Sequence, residues 1–244
     1  MKKPCVINYA AGRWYPAGQR RLSLSLKETG WGGDLRLFTS AEELGCPSHS
    51  EAPYAFKPAA FNWAIAEGCD VILWLDAAAW ANRSIQPLMD RIERDGHVLF
   101  GDPDPWNSAQ WTNDRCLHNM GVSRDEAQNM RCIMATCMGF DARHPRSVEF
   151  LRRWTDYSLD GSSFVGGWEN KGGSESADPR CRGHRHDQAV AGILADQMGM
   201  EKIEGKPLYF QHYHGSSNGG MFKYGQRNDM SQVFPGVCVL TQGM

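Results

Sequence analysis

The chain has 244 residues and a formal net charge of −2. That is long enough for one large α/β domain and too evenly charged for a wholly basic nucleic-acid-binding protein, although a local basic patch stays open. Its eight cysteines include no C-x-x-C pair, which argues against a zinc ribbon or thioredoxin-like site and for a reducing compartment without a disulfide framework. No apolar run approaches membrane-spanning length, so a soluble, cytoplasmic protein with no membrane partner is expected. The nine tryptophans are a high count; excess indoles line sugar or base sites, though packing is their commoner use.

Cys5–Tyr9 reads as a first strand, and Ala10-Ala11-Gly12-Arg13-Trp14-Tyr15 as the loop at its carboxyl end. Small residues there let a backbone approach a ligand, and Trp14 or Tyr15 can stack on a base; the alternative is an ordinary loop with a packing aromatic. Pro16 through Glu28 has helical spacing, with Leu22 and Leu26 inward and Arg20, Arg21 and Lys27 outward. Glycines 30, 32 and 33 end it and Leu35–Thr39 is a second strand, completing a parallel crossover. A further helix runs from Pro58 to about Glu67. Lys57 at its start opposes the helix dipole unless it meets an anion such as a phosphate; the alternative is a solvated lysine.

Val71-Ile72-Leu73-Trp74-Leu75 then runs directly into Asp76. Such a run reads as a strand buried on both faces, as in parallel sheets covered by helices. Ligands sit at the carboxyl ends of such strands, so Asp76 is either a ligand for a cation or sugar, or an N-cap. Ile85–Asp95 is a short helix and Val98–Phe100 a strand. Asp102 and Asp104 resemble a metal pair, but two prolines make the segment a stiff turn. Trp106 and Trp111 are placed to line a cleft. Ser123 with Glu126 fits a capping box. Ile133–Phe140 reads as a strand despite Met138-Gly139, and Pro145–Tyr157 as a helix with Val148, Leu151 and Trp154 inward.

Residues 158–183, rich in Gly, Ser and charge, read as a flexible loop or lid, with Trp168 in its middle. Arg180, Arg182 and Arg185 form a local positive patch suited to a phosphate-bearing substrate. His184, His186 and Asp187 precede a helix over Ala189–Met198, either as metal ligands or with Asp187 as an N-cap. A strand near Leu208–Gln211 leads to His212 and His214, with Lys223 downstream, a combination suited to metal and phosphate.

Taken in order, these pieces resemble the GT-A family of nucleotide-sugar glycosyltransferases. Asn8–Tyr15 is similar to its nucleotide-recognition turn. Tyr54-Ala55-Phe56-Lys57-Pro58 precedes a strand and Asp76-Ala77-Ala78 that resemble its Asp-x-Asp element. His186-Asp187-Gln188 resembles its late Asp-Gln element, and His214-Gly215 with Lys223 its terminal His-Gly…Lys element. One departure is Ala78, where the family has its second aspartate.

The resemblance implies an α/β fold with a mixed, mostly parallel Rossmann-like sheet flanked by helices. It implies one domain over 1–244, with a nucleotide-sugar half over about 1–105 and an acceptor half over about 106–244. It also implies transfer of a sugar from a nucleotide-diphosphate sugar, a UDP-sugar for preference, to a hydroxyl. Tyr9, Ala10, Trp14, Tyr15, Lys57, Asp76 and Lys223 would hold the donor. Asp76 and His214 would hold Mn²⁺ or Mg²⁺, and Asp187 would join Asp76 as the catalytic pair, binding sugar hydroxyls or taking the acceptor proton. Trp106, Trp111, Trp168, Arg185 and His186 would face the acceptor. One acceptor candidate is a 5-hydroxymethylpyrimidine in DNA, flipped onto the tryptophans; proteins, glycans and small molecules are the others. A non-catalytic sugar- or nucleotide-binding module is the reading from a different class, supported by the missing second aspartate. A nucleotidyltransferase would want a better Gly-rich phosphate loop than Ala10-Ala11-Gly12-Arg13.

Overall fold

The structure is a computed structural model that describes residues 3–12, 15–102, 105–204, 210–213 and 237–242. Its centre is a five-stranded sheet of β1 (Pro4–Tyr9), β2 (Asp34–Phe38), β3 (Val71–Leu75), β5 (His97–Val98) and β6 (Cys137–Asp141), in the order β2-β1-β3-β6-β5. β1 pairs in parallel with both β2 and β3, whereas β6 runs antiparallel between β3 and β5. A second sheet joins β4 (Ala79–Ala81), β8 (Val239–Gln242) and β7 (Phe210–Tyr213). The result is the mostly parallel α/β sheet expected.

Helices cover both faces, which explains the unbroken apolar run of β3. Ile72 and Trp74 enter one core with Phe61 of α2 (Phe56–Ala66), Phe150 and Trp154 of α7 (Pro145–Leu159) and Ile193 of α8 (His186–Gln197). Val71, Leu73 and Leu75 enter the other with Leu22 and Leu26 of α1 (Tyr15–Glu28) and Leu88 and Ile92 of α3 (Gln86–Asp95). Each such side chain contributes about 1.5–3 kcal/mol by leaving water. The awkward Gly139 in β6 has a packing reason: a Cβ there would lie 2.2 Å from Cδ1 of Ile92. The helix sits that close because the strand has no side chain at this point. Three short helices, α4 (Ser108–Trp111), α5 (Asp114–Asn119) and α6 (Arg124–Ala127), carry the chain between β5 and β6, and Ser123 and Glu126 form the expected capping box on α6.

Two orientations differ from expectation. Arg21, expected outside, is buried, donates to the carbonyl of Ala78 at 2.6 Å and lies over the Trp80 ring; turn carbonyls and an indole face can lodge a guanidinium that periodicity alone sends to solvent. Val148, expected inward, is exposed, and Phe150 takes the inward position beside Leu151 and Trp154. All eight cysteines are free thiols and seven are buried. Among the described residues no helix is long and apolar enough to cross a membrane.

Candidate active site

The carboxyl ends of β1 and β3 are locked side by side by polar residues inside the sheet. Asn8, fully buried, donates to the carbonyl of Leu75 at 2.6 Å, and Gln19 of α1 donates both to Asn8 Oδ1 at 2.9 Å and to the carbonyl of Phe38 at 3.0 Å. Buried amides keep such partners because an unmet one is costly. The clamp fixes the crevice into which β1 and β3 empty.

That crevice holds a cavity of about 330 Å³ bounded by Tyr9, Ala10, Ala11, Tyr15, Tyr54 and Asp76. Its walls are mainly apolar. Tyr9 stacks on Phe56 with centroids 4.1 Å apart and planes 14° from parallel. Ala10, Ala11, Ala77 and Ala78 also line it, and their methyl-sized side chains take up little of its space. A stacked aromatic wall among small residues, with one carboxylate, suits a heteroaromatic ligand carrying polar groups.

Asp76 stands directly after β3. Its N–H donates to the carbonyl of Thr136 and its own carbonyl accepts from Ala79, a turn into β4. No helix follows, so it is not an N-cap. Its Oδ1 accepts from Trp74 Nε1 at 2.6 Å and lies 3.3 Å from Lys57 Nζ.

Lys57 is neither solvated nor open to a phosphate, contrary to both sequence readings. It is buried at 2% exposure beneath the crevice. Its ammonium also meets Asp187 Oδ2 at 2.9 Å and the carbonyl of Ala135 at 2.9 Å. Asp187 lies one residue inside α8, so its carboxylate serves this ion pair and does not cap the helix. A buried ammonium needs this company, and a helix start supplies none. Strand end, helix start and late helix thus meet in one Asp76–Lys57–Asp187 triad.

One ammonium cannot neutralise two carboxylates. Burial, reinforced by the charge of Asp76, pushes the Asp187 carboxyl up to about 6 even though Lys57 pulls it down. Burial draws the Lys57 ammonium down, but the two carboxylates outweigh it and hold its pKa above the ordinary value. The two directions are compatible: the lysine stays charged, and the less solvated carboxylate takes up a proton readily. A perturbed carboxyl beside a cleft is a mark of functional sites.

On the far side, the five residues expected at the acceptor meet in one row. Trp106 and Trp111 have ring centroids 5.0 Å apart. The Arg185 guanidinium lies 3.7 Å from the Trp111 centroid and 4.4 Å from that of Trp168. Trp168 meets His186 edge-on at 5.3 Å, and His186 reaches Tyr54 at 5.6 Å, so the row ends at the cavity wall. Tyr54 and His186 both hold positive φ, 65° and 46°, a conformation that costs a non-glycine residue about 1–3 kcal/mol and clusters at functional sites.

The segment over 158–183 has no long regular element, yet it is tied to its surroundings. The N–H of Asn170 donates to the carbonyl of Arg182, that of His184 to Gly167, and Asn113 Nδ2 to the carbonyl of Val165. His184 is used up structurally: Nε2 meets the carbonyl of Ser163 and Nδ1 accepts from Asn113 N–H. His186 Nδ1 meets the carbonyl of Phe164. Burial holds both imidazoles well below the usual histidine range, at about 3 and about 4. They are neutral, and the metal-ligand reading of His184 falls. The arginine patch is also altered. Arg180 pairs with Asp178 and Asp125, each at 2.7 Å, while Arg185 is stacked and donates to the carbonyl of Trp168.

Trp14, Asp104, His214 and Lys223 lie outside the described residues, and His212 falls within β7. Asp102 is buried, with its carbonyl held by Arg131. Among the described residues no three potential ligands group around a metal. A divalent ion at Asp76 would have one carboxylate, with Oδ1 already engaged and Ala78 offering no side-chain oxygen. A divalent ion needs further oxygen ligands, and the described side chains do not group to supply them. Sequence reasoning missed Gln19, and it placed Asn8, Tyr54 and Phe56 in motif stretches without assigning any of them a role in the site. The signal for Asn8 was present: an amide interrupting an apolar strand one residue before its end.

No protein-family model matches the chain, and no curated protein matches it. Among solved structures it is similar over 98% of its length to a glycosyltransferase involved in glycosylation of the major capsid of PBCV-1 (TM-score 0.55, 10% identity, 92% of that chain covered). Mouse xyloside xylosyltransferase 1 in its apo form gives 0.52, 10% and 97%. The apo WbbM bifunctional glycosyltransferase gives 0.51, 11% and 45%.

Proposed function

We propose that this chain, which has the GT-A glycosyltransferase fold, transfers a sugar from a nucleotide-diphosphate sugar, a UDP-sugar, to a hydroxyl acceptor. The observation that carries this reading is the Asp76–Lys57–Asp187 triad beside an aromatic cavity at the strand ends. In this reading the Tyr9–Phe56 wall stacks the base, Tyr15 closes the mouth, and Ala10 and Ala11 let ribose and phosphates approach the backbone. A divalent cation, Mn²⁺ or Mg²⁺, bound at Asp76 would offset the charge of the departing diphosphate. Asp187 orients sugar hydroxyls at the reacting end, or takes the acceptor proton when ionised. Lys57 is a positioning residue that fixes both carboxylates. The nucleotide-sugar half is the part ending near residue 105, and the acceptor half follows.

A panel of nucleotide-sugars, with and without Mn²⁺, tests the reading by thermal shift. At a hundredfold excess over Kd a matching donor stabilises the fold by about 2.7 kcal/mol, which for a chain of this size raises Tm by about 5–11 °C. A Tm unmoved by every member of the panel would sink it.

A further inference from the structure

Resting on that reading, we propose that Trp168 is the platform of a neutral acceptor site, and that the acceptor is a pyranoside whose C–H face lies on the exposed side of the indole. Trp168 is 51% exposed, whereas the other described tryptophans are buried or half-buried. It stands beside His186, next in sequence to Asp187, and 6.3 Å from Tyr54 of the donor cavity. A ring laid on it would abut the donor pocket at the reacting end.

The platform is held in place rather than hanging free. Arg185 stacks against it and donates to its carbonyl at 2.7 Å, while Trp111 backs Arg185 from the other side. Behind it the chain approaches so closely that a Cβ on Gly183 would lie 2.1 Å from the Trp168 carbonyl oxygen. A preformed aromatic surface binds without a large ordering cost.

Charge selects the ligand class. A site for a polyanion presents unpaired cations along its path. Among the described residues, the cations of the neighbouring segments meet carboxylates: Lys171 meets Glu169, Arg180 of the same loop meets Asp178 and Asp125, and Arg124, which donates to the carbonyl of Thr112 beside Trp111, meets Asp114. The guanidinium of Arg185 is spent on two indoles and a carbonyl. Among the described residues, Arg182, exposed and 6.0 Å from the Trp111 ring, and Arg115, exposed in the hollow lined by Val165 and Gly166, stand apart from this pairing. Among the described residues most of these cations are paired, so an indole face offered to an uncharged ring is the main recognition feature they leave. A pyranose presents such a face through its axial C–H groups and keeps its hydroxyls for the polar rim.

The test titrates the full-length protein, saturated with UDP, with a panel of methyl pyranosides. A short single-stranded oligonucleotide runs in parallel, and saturation-transfer NMR and tryptophan fluorescence report binding. At least one pyranoside should bind to the wild type, weaken tenfold or more in Trp168→Ala and be retained within a few-fold in Trp168→Phe, with thermal unfolding confirming that both variants fold. The proposal is overturned if no pyranoside binds, if Trp168→Ala leaves the affinity unchanged, or if the oligonucleotide binds instead with an affinity that falls steeply with salt. A wild type stabilised by a nucleotide-sugar but blind to pyranosides loses only this acceptor assignment. One that no nucleotide-sugar stabilises loses the glycosyltransferase reading.

Discussion

Replacing Lys57 by Met removes the ammonium that Asp187 and Asp76 share while keeping an unbranched side chain of similar reach. Asp187 is the sensor. Its carboxyl stands at about 6 in the folded chain against an ordinary 3.8. A raised acid pKa gives stability that is complete below the unfolded value and lost as pH rises through the folded value, here between about pH 4 and pH 6. Without Lys57 the folded pKa moves higher still, so the loss continues past pH 6. If it reaches about 8, the variant carries an extra penalty of about 1.4 kcal/mol at pH 7 and almost none at pH 5. The orphaned Ala135 carbonyl adds about 1–3 kcal/mol at both. Urea unfolding of wild type and Lys57→Met at pH 5 and pH 7 measures this directly. The difference between the proteins should widen by about 1–2 kcal/mol toward pH 7. If donor turnover needs ionised Asp187, its acid limb, with an apparent pKa near 6 in the wild type, should move upward in the variant. A stability difference that is flat from pH 5 to pH 7 would refute the coupling.

Other outcomes follow from the packing. Gly139→Ala forces its methyl against Ile92 and should destabilise by about 1–3 kcal/mol, whereas Gly139→Ala with Ile92→Val should recover part of that loss in the same denaturant titration. Ser123→Ala breaks the capping box of α6 and should cost about 1 kcal/mol, seen as a lower urea midpoint at unchanged slope.

The sheet was legible because its strands are buried on both faces: an apolar run such as Val71–Leu75 has few other homes, and the glycines and prolines around α1 and α2 mark where the chain turns. Asp76 was legible from its place at a strand end. Lys57 was singled out but misread, because a lysine at a helix start looks solvated until the fold brings Asp187, 130 positions later, against it. The same blindness to long-range partners made Arg180 and Arg185 look like a phosphate patch. Only three dimensions show Asp125 beside one and two indole faces around the other. Trp106, Trp111 and Trp168 were picked as stacking surfaces, but their order along a row, with Trp168 alone broadly exposed, comes from hydrogen bonds between loop segments that no periodicity announces.

The central claim is that a nucleotide-sugar seats its diphosphate at Asp76 and reacts beside Asp187. The most direct measurement is nucleotide-diphosphate release from the donor selected by thermal shift, for wild type, Asp76→Ala and Asp187→Asn, each confirmed folded. The account predicts steady release by the wild type and a fall of about 10²–10³-fold in each variant, as when one charge-stabilising group is removed from an active site. Release by Asp76→Ala at the wild-type rate would contradict it.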